Sequence, residues 1–253
     1  MTESTQHFKL DMTGILSETL RIANTKITLI LGFILVVNTP IYLSRFMIPW
    51  YRLSIAYGES PIRGLIMIFG IIEWLFSLFT TIGVSFIAQQ SFDGYTPTMK
   101  SVFSFALSRI DAVVWTSLVQ IFQLFGRFLL LIIPGIIYFN DSSFALPASI
   151  LRDKRGEEAI RYSQNLVHSQ WWRVFWYQIL CSTFILLING TFWIVLRSTR
   201  VDYLNDIIYL ILIQTIGQIG NIWIVAFFIR AENSKGIPRP SGRIQLTEVN
   251  TAD

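Results

Sequence analysis

Two ionisable side chains stand deep inside apolar runs: Glu73 and Arg127. A charge in hydrocarbon is costly unless it is paired, so an acid and a base at matching depth predict a salt bridge. At ~1.5 Å per helical residue, Glu73 lies about 16 Å and Arg127 about 10 Å from the same end of their runs, one turn apart. Thr116, Gln120, Gln123 and Arg127 recur at helical spacing and share one face. Glu73, Ser77 and Thr80 or Thr81 share another. Asn38, Asn189 and Gln214 fall at similar depth in three further runs. The pattern predicts a polar cluster of Asn38, Glu73, Arg127, Asn189 and Gln214. Such a cluster either joins helices, because polar faces turn inward in a bundle, or holds a ligand or ion.

Other chemistry is sparsely signalled. The sequence contains no Gly-rich phosphate loop, HExxH, GxSxG or CxxC pattern. His7 and His168 lack ligand spacing, so neither a metal nor another cofactor is expected. The single cysteine, Cys181, lies in an apolar run and reads as an inert buried thiol. A basic turn of Arg152, Lys154 and Arg155 reads first as a topology determinant, and with Arg173 beyond it as a candidate set of contacts to anionic lipid headgroups. Trp171 and Trp172 beside Arg173 read as an interface anchor.

These groups need elements to hold them, and composition names the medium. The chain has 253 residues, of which 53% are hydrophobic and 14% charged. A soluble protein carries roughly a quarter charged residues. The deficit indicates an all-α integral membrane protein, since hydrocarbon-facing surface excludes charge. The net charge of +4 is spread through connections beside apolar runs, which favours anionic lipid over nucleic acid as counter-charge.

The apolar runs predict six transmembrane helices, at about 26–48, 62–89, 110–133, 136–151, 171–196 and 206–229. The break at Pro134 and Gly135 predicts a turn between the third and fourth. The fourth is short and contains Asn140 and Asp141, so a kinked or re-entrant segment is the alternative. Amphipathic helices at 12–23, 99–108 and 156–169 each precede two spans, which predicts a helix-hairpin unit repeated three times. Residues 1–230 thus form a polytopic membrane domain. Residues 231–253, poor in apolar side chains, read as a disordered cytoplasmic tail.

The Lys and Arg distribution orients this scheme. One side receives 14 of them: Lys9, Arg21, Lys26, Lys100, Arg109, Arg152, Lys154, Arg155, Arg161, Arg173, Arg230, Lys235, Arg239 and Arg243. The other receives 5: Arg45, Arg52, Arg63, Arg197 and Arg200. By the positive-inside rule both termini and all three amphipathic helices are cytoplasmic.

Four segments carry a resemblance. They are Leu131 to Tyr138 (LIIPGIIY), Ser143 to Ala148 (SFALPA), Gly156 to Ser163 (GEEAIRYS) and Val167 to Arg173 (VHSQWWR). This order resembles a family of six-helix bacterial membrane proteins. It is similar to the membrane-anchor domain attached to some glycerophosphoryl diester phosphodiesterases. The resemblance implies an anchor-like module in a bacterial plasma membrane. It does not imply the phosphodiesterase reaction, because the soluble barrel is missing from this chain.

Three readings of function follow, in this order. The first is a non-enzymatic membrane module that scaffolds, anchors or partners other membrane proteins, itself included, or lipids. The second is a transporter or permease-like subunit using Glu73 and Arg127. The third is a membrane-embedded lipid-modifying enzyme.

Overall fold

The structure is a computed structural model that describes residues 12–48, 55, 59–198 and 202–237. The described residues are helical, with short connections and no strand. In chain order the helices are α1 (Met12–Met47), α2 (Glu59–Phe92), α3 (Met99–Leu130), α4 (Ile132–Asp141), α5 (Ala145–Arg152), α6 (Glu157–His168), α7 (Trp171–Ser198) and α8 (Asp202–Ser234). Five of them, α1, α2, α3, α7 and α8, are long and apolar enough to cross a membrane.

The predicted fourth span, 136–151, is not one helix. At ~1.5 Å per residue its place is taken by two pieces of about 15 and 12 Å, α4 and α5, and neither alone covers ~30 Å of hydrocarbon. The chain turns at Leu131, whose backbone is extended, and Pro134 sits in the first turn of α4. A proline there forfeits no intrahelical bond. Gly135 follows because the Phe128 ring lies against it; a Cβ there would come within 2.7 Å of the ring.

The amphipathic segments also differ from expectation. Residues 12–23 and 99–108 are not separate helices; they are the first turns of α1 and α3. Only α6 stands alone, ended at Ser169 and Gln170. The threefold unit is therefore not visible as three matching helix sets. Thr98 and Ser101 form a capping box that starts α3 after the turn at Asp93–Gly94, where Gly94 has φ 81°. Residues 231–234, read as tail, complete α8, which closes at Gly236 with φ 64°. Residues 238–253 lie outside the described residues.

Packing is concentrated at one end. α1 packs on α2 and α8, α2 on α3 and α8, and α5 is enclosed by α2, α3, α6 and α8. Phe33 meets Phe79 and Phe103, Phe86 stacks on Phe105, and Phe144 meets Phe227 and Phe228. At the other end the helices separate. Leu65 to Ile68, Phe122, Phe125 and Leu129 to Ile133 are exposed, and no residue in the central stretch of α7 is buried. Exposed apolar surface on this scale is what a hydrocarbon solvent covers.

The break between α4 and α5 is held from within the protein. The Ser163 hydroxyl donates to the Asp141 carbonyl at 2.6 Å and accepts from the Phe144 N–H at 2.9 Å. Gln120 Nε2 donates to both the carbonyl and the hydroxyl of Ser142 at 3.1 Å. Removing one partner of a buried backbone group costs about 1–3 kcal/mol. Ser163→Ala is therefore expected to lower thermal stability in detergent by about that amount, whereas Ser169→Ala, at an exposed position, leaves it unchanged; paired melting curves check this.

Candidate functional site

The polar face of α3 does what its spacing suggested, but its partner is the broken return arm. Thr116 Oγ1 lies 3.1 Å from Ser149 Oγ and accepts from the Gly156 N–H at 2.9 Å. Gly156 has φ 54°, and a Cβ there would lie 2.9 Å from the Trp115 indole nitrogen, so only glycine suits this corner. One turn on, Gln120 holds Ser142. Two further turns on, the Arg127 guanidinium lies 3.7 Å over the ring of Tyr138. Tyr138 is 2% exposed. Arg127 Nη1 and the Tyr138 hydroxyl are both buried without a hydrogen bond. The face thus forms a polar seam between α3 and α4–α5.

The predicted Glu73–Arg127 salt bridge does not form: no ion pair within 4.0 Å joins them. Glu73 is half-buried on α2. Asn38 donates to Thr80 Oγ1 at 3.1 Å and to the Ile34 carbonyl, joining α1 to α2. Asn189 donates to the Ile185 carbonyl within α7. Gln214 is half-buried on α8. The five side chains match in depth along the sequence, but the hydrogen bonds of Asn38 and Asn189 go to residues outside the five. Depth fixes one coordinate of a cluster and leaves the rotation of each helix open.

The strongest ionic constellation lies elsewhere. Glu232, 1% exposed on the last turns of α8, receives Arg152 Nε at 2.9 Å and Nη2 at 2.6 Å. Tyr162 donates to the same carboxylate at 2.6 Å. Burial and the hydrogen bond to Glu232 both push the Tyr162 phenol above its ordinary pKa, so it stays a donor. The Arg152 side chain is 7% exposed, and its guanidinium approaches the Phe228 ring at 5.5 Å. Arg152 is therefore not a lipid-headgroup contact; its charge is already matched and enclosed.

Nearby pairs extend this end of the protein. Arg230 donates to Glu18 at 2.8 Å and links α8 to α1. Arg109 pairs with Asp153, which closes α5 with φ 55°. Lys154 pairs with Glu158, and Arg155 lies 3.6 Å from Asp111. The expected Glu157–Arg161 pair forms at 3.2 Å. Among the four basic residues proposed for lipid, Arg155 and Arg173 remain exposed and Lys154 is partly so. Trp171 stacks on Phe175, while Trp172 is 67% exposed.

Glu232 was missed because the polar composition of the tail began to dominate at Ala231. A signal was present: the apolar run to Ile229 continues in helical register into Glu232, where a carboxylate at a helix C-terminus calls for a cation. No matching family model, curated protein or solved structure is found for this chain.

A third site is a cleft between α7 and α8 of about 560 Å³. Ser182, Asn189, Gly190, Trp193, Tyr209 and Ile213 line it. Asn189 Oδ1 is buried with no hydrogen bond, and a Cβ at Gly190 would meet open space.

Two outcomes follow. Removing one partner of a buried ion pair costs about 3–5 kcal/mol, so Glu232→Gln and Arg152→Met each lower the unfolding free energy by that order, and Arg152→Met with Glu232→Leu recovers most of it. Unfolding titrations in mixed micelles measure both. Glu73→Gln and Arg127→Gln, in contrast, are expected to be additive within about 0.5 kcal/mol in a double-mutant cycle, because no ion pair joins the two side chains.

Proposed function

We propose that this chain is a non-enzymatic, multi-pass membrane module that anchors or scaffolds another membrane protein by receiving one of its transmembrane helices beside α7. The single observation that carries this reading is α7 itself. It is long and apolar enough to cross a membrane, yet no residue of its central part is fully buried within its own chain. Beside it lies the cleft, where Ser182, Asn189 and Gly190 stand among larger apolar side chains; small and polar residues allow close helix approach and interhelical hydrogen bonding. The unsatisfied Asn189 oxygen supplies an acceptor there. The partner is a second protein or another copy of this chain.

The transporter reading loses support because the Glu73–Arg127 pair on which it stood is absent. The ion-paired end of the bundle is assigned to the cytoplasmic face of a bacterial plasma membrane. That assignment rests on the Lys and Arg distribution and on the resemblance to anchor domains. Lys154, Arg155 and Arg173 there face anionic headgroups.

Gly190→Leu tests the proposal. Its side chain enters open space, so folding is retained, but the cleft is filled. A photo-crosslinking residue at Leu186 is expected to capture a partner in native membranes, and Gly190→Leu is expected to reduce that capture at least tenfold. Identical capture of lipid alone by both forms would sink the reading.

A further inference from the structure

We infer that α3, α4 and α5 form a re-entrant hairpin whose tip stays in the hydrocarbon, so that its occupant is the acyl-chain layer rather than water beyond the membrane.

The two arms leave and return at one level. Arg109 on α3 pairs with Asp153 at the end of α5, and Arg155 reaches Asp111. Between these points the arms run antiparallel, through the contacts Thr116 to Ser149, Gln120 to Ser142 and Arg127 to Tyr138. The turn at the far end is wholly apolar. From Phe128 to Ile137 the chain offers no polar side chain. Leu129, Leu130, Leu131, Ile132 and Ile133 are 67–79% exposed, in one unbroken stretch.

A connection that emerged into water would be expected to carry polar side chains, as the others do. Residues 93–98 read DGYTPT, and the sequence between α7 and α8 reads STRVD from Ser198 to Asp202. The tip also places its extended residue, Leu131, where the Arg127 carbonyl accepts its N–H, so the turn keeps a backbone bond without water.

Length permits either outcome. The arm from Arg109 to Leu131 is roughly 33 Å long at ~1.5 Å per residue, close to the ~30 Å of hydrocarbon. A tilt within the range that membrane helices adopt keeps such an arm inside the layer. Tip chemistry therefore decides, and it places the tip among lipid tails. The placement of α4, the helix next to the tip, agrees with this: it packs on α3, α6 and α7, and the tip residues before it stay exposed. The inference needs only that the chain is membrane-embedded, and it stands whether or not α7 has a partner.

Cysteine accessibility tests it on the full chain. Cys181→Ser removes the one native thiol. Single cysteines are then placed by Leu131→Cys at the tip, Lys154→Cys at the base and Ser54→Cys in the α1–α2 connection. A membrane-impermeant maleimide is applied to sealed vesicles of each orientation. The base cysteine is expected to react from one side and Ser54→Cys from the other. Leu131→Cys is expected to stay at least tenfold less labelled from both sides, and to react fully once membranes are dissolved and the protein denatured. Labelling of Leu131→Cys from the Ser54→Cys side would show a complete crossing and overturn the inference; labelling from the base side would place the tip in water and overturn it too. Leu129→Cys and Ile133→Cys, equally exposed, repeat the test should the first variant not fold.

Discussion

A helix interrupted inside a membrane-embedded chain must find partners for the backbone groups it frees, and water is not there to provide them. That constraint organises this protein. The interruption falls at Ser142 to Phe144, and Ser163 satisfies both sides of it, donating to Asp141 and accepting from Phe144. Ser163 can do so only because α6 is pressed against the break. α6 is placed there by the Gly156 corner, which hydrogen-bonds to Thr116 on α3. The break, the corner and the polar seam are thus one cooperative unit, and a fault in any of the three exposes the others.

The same unit explains the burial gradient. Once α5 enters the bundle, its small residues Ala145, Ala148 and Ser149 let α2, α3 and α8 close around it, and all three are fully buried. Arg152 follows directly, so its guanidinium arrives inside the protein and needs a carboxylate there. Glu232 supplies it, at the end of α8 where helix carbonyls already favour a cation nearby. The other end has no inserted segment, so α7 and the hairpin tip stay uncovered. A membrane tolerates that asymmetry because lipid tails are as apolar as leucine.

The sequence made the helices legible and left their partners obscure. Hydropathy located five spans, because runs of ~20 apolar residues have few other physical uses, but it started the first and third of them more than ten residues late, where amphipathic first turns continue the helix. The spacing of Thr116, Gln120 and Arg127 identified a real face. What it could not supply was the identity of the surface opposite, and Asn38, Glu73, Asn189 and Gln214 were grouped by depth alone. The positive charges of 152–155 were legible as a basic turn, but Arg152 is the last residue of α5, whereas Lys154 and Arg155 lie beyond the left-handed Asp153 that ends it. The inward packing of Ala148 and Leu151 carries Arg152 into an enclosed ion pair, and the chain past Asp153 leaves the other two as an exposed basic surface.

The gradient also bears on what a single buried ion pair does in such a fold. Apolar packing between membrane helices has little preference for one rotation over another, since lipid and leucine are near-equivalent neighbours. A bidentate arginine–carboxylate bond with a tyrosine on the same oxygen is far more selective, because each contact fixes an angle as well as a distance. Arg152, Tyr162 and Glu232 come from α5, α6 and α8, so their meeting fixes the rotation of three helices at once. The pair Arg230 and Glu18 does the same for α8 and α1. Specificity at the packed end therefore comes from charge, and the apolar end is free to take its neighbours from the membrane.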